Sequence, residues 1–414
     1  MKRAATRGWP VARRRSRRHR VRCRCPTPTS APSAEACGRG GGSPPPRPAG
    51  RTRPDARSRR PGGSTSGLTS VVGAHHVGDA PHRSDSHFHR PKGSSVSSVL
   101  ITGGAGFIGS NLTDALVADG RACHVVDDLS NGKAIRVPDE AELHLLDIRA
   151  GAELADLVAR VRPSTIFHLA AQADVRRAIE DPRYDAEVNI VGTINVLEAA
   201  RAVGAKVVFT STGGAGYGEY EGLQVPTPET AETRPLSHYG MSKMAGEGYC
   251  HLYGRLYGTE VAVLRLGNVY GPRQDPHGEA GVVAIFCGRM IDGIAPRVYG
   301  DGMQTRDYVY VGDVASAFMA AEAGPAGETV NIGAGVEVTV LDLLDGLGYE
   351  GEPEFAPARE GELQRSVLDV SKAERLYDWT ARTPLHEGLG QTMASVIAAR
   401  QAPDVRPPGA FALT

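Results

Sequence analysis

The sequence predicts an α/β fold in which a doubly wound parallel sheet is followed by a smaller C-terminal lobe and preceded by a disordered arm. Apolar strands alternate with helices from about residue 98 to residue 266, and these strands are continuous apolar runs. Such strands have both faces covered, which is typical of parallel sheets between helices. The chain has 414 residues, 41% of them hydrophobic, which is enough for this fold because single cores stop growing at roughly 250 to 300 residues.

The predicted arm, residues 1–95, contains 12 prolines, 12 glycines and 21 basic residues against four acidic ones. It has no helical or strand periodicity, and it cannot bury enough apolar surface to offset its conformational entropy. Three interpretations are open: an organelle-targeting segment that lacks amphipathic spacing, a nucleic-acid tether, or a stretch upstream of a native start near Val96 or Val99. We favour the last, because the first motif follows those valines closely.

The charge distribution and the cysteines limit the partners of the body. The formal net charge is zero, but the arm carries +17 and residues 96–414 carry 26 basic and 43 acidic residues. Duplex binding requires clustered Lys and Arg, so we expect no nucleic acid as the main partner of the body. No stretch reaches the roughly 18 uncharged apolar residues that a membrane span needs. The six cysteines form no disulfide ladder or zinc pattern, which predicts a cytoplasmic protein without a metal site.

The predicted elements divide the body into a dinucleotide-binding domain, residues 96–266, and a C-terminal lobe, residues 267–414, parts of which return to the first sheet. The first domain has strands at 98–102, 122–126, 142–146, 165–169, 206–210 and 261–266, and helices near 107–119, 152–160, 184–203 and 239–257. The lobe has helices near 282–291, 314–322, 340–347, 372–379 and 385–400, and short strands near 297–299 and 329–332.

A glycine-rich turn, TGGAGFIG, joins the first strand to the first helix. Gly103 allows the tight turn, Gly106 lets backbone N–H groups approach a pyrophosphate, and Gly109 lets the helix pack closely on the sheet. The N-terminus of the helix then faces the phosphates with its unpaired N–H groups. This position between strand and helix predicts dinucleotide binding, with Phe107 and Ile108 in the same turn.

Polar residues that follow the second and third strands complete the predicted cofactor site. Asp127 ends the second strand, 18 residues after the last glycine of the turn. A carboxylate there accepts hydrogen bonds from the ribose hydroxyls and repels a 2′-phosphate, which predicts NAD. Asp128 and Asn131 are either helpers in this contact or a turn and capping set. Asp147 and Ile148 follow the third strand and are expected to flank the adenine.

A tyrosine and a lysine four residues apart mark the predicted chemical end of the site. On a helix, Tyr239 and Lys243 share one face. A Tyr of pKa near 10 is a poor base at neutral pH, and a neighbouring Lys⁺ is expected to lower that pKa. The strand at 206–210 ends in the hydroxyls of Ser211 and Thr212, on the same rim of the sheet. Together these groups predict proton transfer during alcohol oxidation.

The run of motifs resembles the extended short-chain dehydrogenase/reductase family, and within it the NAD-dependent epimerase/dehydratase branch that acts on nucleotide sugars. The resemblance covers roughly residues 98 to 400 and is carried by TGGAGFIGS, VVDDLS, HLAAQADV, VNIVGTINVLEAA, FTSTGGAGYGE, YGMSK, LRLGNVYGPRQDPHGEAG and YGDGMQTRDYVYVGDVA. It implies a Rossmann domain that binds NAD, a C-terminal lobe that holds a UDP-sugar, and a homodimer.

The resemblance also implies residue roles. Tyr239 is the catalytic base, Lys243 binds the nicotinamide ribose and lowers the Tyr pKa, and Thr212 bridges the Tyr and sugar O4, with Ser211 as the alternative. The further contacts that it implies are Ala170 and Ala171 at the cofactor, Asn189 and Asn268 near the sugar and its phosphates, Tyr299 near the uridine, and Arg306 and Arg359 on the pyrophosphate. Capping, core or solvated roles are the alternatives for this second set. The usual Arg-x-Gly-Asp is here Arg359-Glu-Gly-Glu362, which weakens the expected ribose contact.

The reaction is inferred from the two residues after the catalytic hydroxyl. Dehydratase relatives place Asp-Glu where this chain has Gly213 and Gly214, so we expect the 4-keto sugar to take hydride back on its other face, which is 4-epimerisation of the UDP-glucose/UDP-galactose type. The alternatives are a dehydratase, a UDP-glucuronate epimerase or decarboxylase, and a non-catalytic NAD-binding protein. A uronic acid substrate would fit Arg176 and Arg177 near the cofactor-side loop, although these residues are more simply a surface pair. By count from the late Arg motif, Val367 lies beside the sugar and leaves space for an N-acetyl group.

Overall fold

The computed structural model describes residues 97–276, 281–359 and 361–401. The predicted arm, residues 1–95, lies outside them. The strands are β1 (Ser98–Thr102), β2 (Ala122–Asp127), β3 (Glu142–Leu145), β4 (Thr165–His168), β5 (Lys206–Thr212), β6 (Val261–Leu266), β7 (Asn268–Tyr270), β8 (Arg297–Tyr299), β9 (Thr305–Arg306), β10 (Tyr308–Tyr310), β11 (Thr329–Ile332), β12 (Val338–Thr339), β13 (Glu354–Ala356) and β14 (Arg365–Ser366).

Helices connect and cover these strands. They are α1 (Phe107–Ala118), α2 (Gly151–Val161), α3 (Val175–Glu180), α4 (Pro182–Ala186), α5 (Gly192–Val203), α6 (Gly214–Tyr217), α7 (His238–Tyr257), α8 (Val282–Ile291), α9 (Val311–Ala323), α10 (Val340–Gly346), α11 (Ser371–Tyr377) and α12 (Leu385–Gln401). A 3₁₀ turn lies at Ala134–Arg136 and a π-helical turn at Glu187–Val191. Among the described residues, no helix is long and apolar enough to cross a membrane.

Seven parallel strands form the main sheet, in the order β11-β6-β5-β4-β1-β2-β3. The chain runs outward from β1 through β2 to β3 and then returns to β4 on the other side of β1. This reversal is a topological switch point, where α/β sheets bind ligands beyond the carboxyl ends of their strands. The predicted Rossmann sheet is therefore confirmed.

The core lies on both faces of this sheet, as the continuous apolar strands predict. Val99 and Ile101 of β1 pack with Phe318 of α9 on one face, and Leu100 packs with Leu197 of α5 on the other. All five side chains have no exposed surface. Consecutive residues of a strand point to opposite faces, so a strand between two helical layers requires apolar residues at every position.

The chain after residue 267 contributes to two parts of the structure. Strand β11 pairs with β6 and extends the main sheet, while three small sheets, β10–β7, β12–β9–β14 and β13–β8, lie outside it. Helices α8, α10 and α12 supply Val283, Leu343 and Leu389 to a separate cluster around Tyr270. The division into domains at residue 267 stays a prediction.

Candidate active site

Three of the predicted chemical residues, Ser211, Thr212 and Tyr239, line one cavity together with the start of α1. Its volume is about 260 Å³, and its walls include Phe107 and Ile108 at the start of α1, Thr212 at the end of β5, and Tyr239 at the start of α7. Asn268, the first residue of β7, lies on the opposite wall. The structure thus brings together residues that lie up to 161 positions apart in the sequence.

The glycine-rich turn has the shape that a dinucleotide needs. Gly103 has a φ of +72°, and a β carbon there would lie 2.6 Å from the backbone nitrogen of Ala170 after β4. A β carbon on Gly109 would lie 2.1 Å from the Gly103 carbonyl oxygen, and one on Gly106 would lie 3.1 Å from the same oxygen. No side chain caps the N-terminus of α1. The turn and its adjoining helix end therefore fit a pyrophosphate.

Asp127 makes hydrogen bonds to the glycine-rich turn and lies where the adenosine ribose is expected. Its Oδ2 accepts a hydrogen bond of 3.0 Å from the Ala105 N–H, and its Oδ1 accepts one of 2.9 Å from the Leu129 N–H. Burial raises the pKa of Asp127, and these two backbone bonds lower it. Each carboxylate oxygen retains acceptor capacity, so the residue fits a pair of ribose hydroxyls.

The residues expected around Asp127 have mostly local partners. Asp128 Oδ1 accepts from the backbone and the hydroxyl of Ser130, at 2.9 and 2.6 Å, so it forms the turn that was the alternative to a helper role. Asn131 is exposed. Asp147 pairs with Arg149 at 2.5 Å, and this hydrogen bond lowers the pKa of Asp147. Their contacts with the cofactor stay predictions.

Three further predicted cofactor residues, Ile148, Ala170 and Ala171, follow the ends of β3 and β4. Ile148 is 5% exposed, and a β carbon on Gly192 of α5 would lie 2.6 Å from its Cδ1, so it forms part of the core below the adenine side. The Ala170 N–H donates a hydrogen bond of 3.3 Å to the Thr102 hydroxyl. Ala171 follows it beyond β4. The two alanines adjoin the turn at the switch point.

Tyr239 and Lys243 lie in the first two turns of α7. Ser237 caps this helix, since its Oγ accepts a hydrogen bond of 3.0 Å from the Gly240 N–H. Lys243 is 2% exposed, and its Nζ lies 4.4 Å from the centre of the Phe209 ring. Burial lowers the pKa of Lys243 to about 8. Such a buried cation, on the same helix as Tyr239, is typical of a functional site rather than of a solvated surface lysine.

The protein's own groups do not make the Tyr239 phenol more acidic. Burial raises the pKa of Tyr239 to about 12, and the negative charge of Asp185 also raises it. The expectation that Lys243 brings this pKa below 10 is therefore wrong for the protein alone, because desolvation and the charge of Asp185 both disfavour the phenolate.

The two candidate hydroxyls at the end of β5 have different surroundings. Ser211 is 2% exposed, and its hydroxyl donates a hydrogen bond of 2.5 Å to Glu247 of α7. Thr212 Oγ1 accepts a hydrogen bond of 3.2 Å from the Ala215 N–H, which leaves its hydrogen free to be donated. The geometry therefore favours Thr212 over Ser211 as the hydroxyl that works with Tyr239.

A buried polar network lies beneath these hydroxyls, and the sequence reasoning did not identify it. Arg265 of β6 pairs with Glu247 at 2.7 Å, and its Nη1 donates to the Tyr217 hydroxyl at 2.9 Å. That hydroxyl donates to Asn331 of β11 at 2.8 Å. The available signal was a charged residue in the otherwise apolar β6. The network joins β5, α7, β6 and β11, and it engages the hydroxyl of Ser211, a residue that also lines the cavity.

His168 at the end of β4 is a second buried polar residue near the cation. Its Nδ1 lies 2.8 Å from the Thr102 hydroxyl and its Nε2 lies 3.0 Å from the Thr193 hydroxyl. Thr193 donates to the Asn189 carbonyl at 2.7 Å, so it accepts from His168, and Nε2 carries the hydrogen. Burial, together with the charge of Lys243, lowers the pKa of His168 to about 3. The imidazole is neutral at physiological pH.

The Asn189 side chain is buried and makes hydrogen bonds within the protein. It lies in the π-helical turn that interrupts the predicted helix at 184–203, and its Oδ1 accepts from the Gln172 N–H at 2.9 Å. Its Nδ2 donates to Asp185 and to Ser242, and Ser242 in turn donates to the Tyr239 carbonyl. A direct contact of Asn189 with the sugar is therefore not supported, since its side chain is saturated and links α4 to the start of α7.

The predicted substrate residues of the later chain lie in the small sheets. Asn268 makes no side-chain hydrogen bond with other described residues. Arg306 lies 3.4 Å from Glu362, so the longer acid of the late motif reaches the predicted phosphate clamp. The guanidinium of Arg359 lies 3.9 Å above the Tyr299 ring, and this contact lowers the pKa of Tyr299. The roles of these residues toward a substrate stay predictions.

The segment expected beside the sugar packs against the loop that follows Thr212. Val367 is 2% exposed, and a β carbon on Gly213 would lie 2.7 Å from its neighbour Leu368. The hydroxyl of Ser366 lies 3.8 Å from the place of a β carbon on Gly214. Alternate side chains along this extended segment face opposite ways, so Ser366 and Leu368 face the loop after Thr212, and the placement of Val367 beside the sugar stays a prediction.

The fold and the site define a class: Rossmann-fold enzymes with a cavity at the switch point of the sheet, where a dinucleotide binds. A family model described as the NAD dependent epimerase/dehydratase family matches residues 99–333. The chain belongs to this family, and its cofactor is NAD.

Similar proteins support the same assignment. The UDP-glucose 4-epimerase of Mycolicibacterium smegmatis is 45% identical over 306 residues, which cover 71% of this chain and 96% of that protein. A crystal structure of UDP-glucose 4-epimerase from Thermotoga maritima with UDP-glucose has a TM-score of 0.71 and 42% identity, and covers 73% of this chain and 99% of that one. The Thermus thermophilus UDP-glucose 4-epimerase in complex with NAD has a TM-score of 0.68 and 43% identity, with the same coverage.

Proposed function

We propose that this protein is a nucleotide-sugar 4-epimerase that interconverts UDP-glucose and UDP-galactose through a 4-keto intermediate. The observation that carries the proposal is the single cavity that Tyr239 and Thr212 share with the start of α1. The relatives named UDP-glucose 4-epimerase, at 42 to 45% identity, support the substrate class. We further propose that the protein is cytoplasmic and homodimeric, with the dinucleotide and the sugar held by residues 96–266 and 267–414 respectively.

The phenolate form of Tyr239 accepts the proton of the sugar O4 hydroxyl and becomes the phenol, and Thr212 bridges the two with the hydrogen that it is free to donate. When bound, NAD supplies a reversible hydride acceptor for C4 and a positive charge beside the phenol. Tyr239 needs that charge, because its pKa is raised to about 12 by burial and Asp185. Lys243 holds a second positive charge one helical turn away. The same phenol returns the proton when hydride is delivered to the other face.

The walls of the cavity favour epimerisation over dehydration. Elimination of water across C5 and C6 needs an acid and a base near the sugar. Among the described residues that line the cavity, none is an Asp or a Glu. Gly213 and Gly214, where the dehydratase acids would stand, are closely approached by Leu368 and by Asn268. The described part of the cavity wall therefore supports return of hydride to the keto sugar rather than loss of a proton from C5.

The size of the residue at position 366 suggests tolerance of larger sugars. Ser366 faces the loop that follows Thr212 and has a small side chain. We propose that UDP-GlcNAc is accepted beside UDP-glucose, because a serine leaves room for an N-acetyl group. Ser366→Tyr should then reduce UDP-GlcNAc conversion more than UDP-glucose conversion. Equal losses for both sugars would contradict the assignment.

The reaction is tested by incubating the purified enzyme with UDP-glucose, UDP-GlcNAc and UDP-glucuronate and analysing the sugars by NMR. The expected product is the 4-epimer, formed without net release of NADH. A 4-keto-6-deoxy sugar or a pentose product would replace this proposal with dehydratase or decarboxylase chemistry. Bound NAD with no conversion of any sugar would favour the non-catalytic alternative.

A further inference from the structure

Two histidines and a glutamate meet on the outer strands of the main sheet, away from the cavity. Strands β2 and β3 pair in parallel, with Glu142 opposite His124 and His144 opposite Val126. Residues two apart in a strand share a face, so both β3 side chains lie on the side of the sheet that His124 occupies. Within the described part of the chain, this is the one group of three or more His, Cys, Asp or Glu residues whose ligand atoms converge closely enough for a metal ion.

The distances between the three side chains match those between the ligands of one metal ion. His124 Nδ1 lies 3.1 Å from His144 Nε2, and a Glu142 carboxylate oxygen lies 3.2 Å from His124 Nδ1. The other carboxylate oxygen lies 3.7 Å from His144 Nε2. A tetrahedral zinc ion with ligands at about 2.0 to 2.1 Å keeps them about 3.3 Å apart. Small rotations of the three side chains would therefore direct all of them at one ion.

The surroundings suit an ion that keeps one position open to water. The His124 and His144 side chains are 20% and 18% exposed, which means that packing restricts them, while the Glu142 side chain is 64% exposed and faces solvent. Two imidazoles with one carboxylate are a donor set for zinc-class ions, whereas Mg²⁺ and Ca²⁺ prefer oxygen ligands. The three residues can supply three ligands, and water can supply the fourth.

We propose that His124, Glu142 and His144 form a binding site for a divalent transition-metal ion of the zinc class, which joins the edge strand β3 to β2. Each histidine lies three residues before an acid of the predicted adenosine site, Asp127 in one case and Asp147 in the other. A bound ion would restrain the two strands that position these acids. The proposal does not depend on the reaction that the cavity catalyses.

The experiment compares the full-length NAD-bound enzyme with a triple variant, His124→Asn, Glu142→Gln and His144→Gln, which keeps side-chain size while weakening the ligands. Both proteins keep the histidines of the arm, so the difference between them isolates this site. Zn²⁺ uptake is measured by equilibrium dialysis, and backbone hydrogen exchange is followed with and without Zn²⁺. We expect the wild type to bind about one more ion per chain, and its β3 amides to exchange more slowly when Zn²⁺ is present. Mg²⁺ should have neither effect.

Single variants keep the test decisive if the triple variant does not fold. Glu142→Gln changes an exposed side chain and should weaken Zn²⁺ binding about tenfold or more, whereas His386→Gln, on the exposed face of α12, should leave it unchanged. Equal Zn²⁺ uptake by the wild type and the triple variant would overturn the proposal. Equal behaviour of the two single variants, or Zn²⁺-independent exchange in β3, would also overturn it.

Discussion

The Ser211 hydroxyl donates a 2.5 Å hydrogen bond to Glu247. This contact gives Ser211 a different role from that of its neighbour Thr212. Glu247 is also held by Arg265, so the carboxylate is fixed from two sides and fixes the end of β5 in turn. Consecutive strand residues face opposite ways. The Ser211 hydroxyl therefore belongs to the buried network, whereas the Thr212 hydroxyl is available in the cavity.

We expect Thr212→Val and Ser211→Ala to have different consequences. Thr212→Val removes the hydroxyl that works with Tyr239 and should lower kcat by about 10²-fold with little change in stability. Ser211→Ala removes a hydrogen bond to a buried charge and should lower the free energy of unfolding by about 2 kcal/mol, with most of the activity retained. Steady-state kinetics and urea unfolding on both variants check this. A larger loss of kcat in Ser211→Ala would reverse the assignment.

Tyr239→Phe should lower turnover by about 10³-fold while NAD stays bound, because it removes only the proton acceptor. Conversion of UDP-glucose is followed by NMR, and bound nucleotide is measured after denaturation of the purified variant. Tyr249→Phe, a tyrosine on the same helix outside the cavity, is the matched control and should be fully active. Unchanged turnover in Tyr239→Phe would exclude this phenol as the base.

Lys243→Met should abolish most of the activity and yet stabilise the fold. Keeping Lys243 charged when its pKa falls from 10.5 to about 8 costs about 3 kcal/mol, which methionine avoids. Between these two pKa values the unfolded lysine binds a proton that the folded one does not, so wild-type stability rises with pH. The advantage of the variant should therefore shrink from pH 8 to pH 10.5. The measurement is urea unfolding of both proteins across this pH range. A difference in the free energy of unfolding that increased with pH would contradict the account.

The buried His168 makes stability fall in mild acid. Its pKa is about 3 in the folded protein against 6.5 for an unperturbed histidine, so the unfolded chain binds the extra proton between these values and stability is lost as the pH falls. From pH 7 to pH 5 this residue should cost about 2 kcal/mol. The His168→Gln variant should be less stable than the wild type at pH 7. Its free energy of unfolding should fall by about 2 kcal/mol less than that of the wild type between pH 7 and pH 5. Parallel declines in both proteins, measured by urea unfolding, would show that His168 is not the titrating group.

Gly109→Ala should impair NAD retention, because its β carbon would lie 2.1 Å from the Gly103 carbonyl oxygen and force the phosphate turn to move. Gly248→Ala, in α7, meets no atom within 4 Å and should stabilise the helix by up to about 1 kcal/mol. Bound NAD per chain and thermal unfolding are measured on both. Normal NAD content in Gly109→Ala would show that the turn tolerates the shift.

The sequence by itself determined the parallel sheet, the glycine-rich turn, Asp127 after β2 and the Tyr239–Lys243 spacing. These features depend on periodicity and on short fixed offsets, which the order of residues specifies directly. The helix expected at 184–203 was partly wrong, because the Asn189 side chain bonds to Gln172 across the fold and a π-helical turn replaces the regular one. A tertiary contact of that kind leaves no periodic signal.

Only the tertiary structure decided which polar groups meet. In the folded protein, Ser211 donates a hydrogen bond to Glu247, and Ser366 rather than Val367 faces the loop after Thr212. Packing of β2 on β3 also brings His124 Nδ1 to within 3.1 Å of His144 Nε2. The tertiary structure also raised the pKa of Tyr239, which residue spacing alone predicts to fall. The physical reason is that side-chain direction and desolvation depend on neighbours far away in the chain, and those neighbours are fixed only when the strands and helices pack.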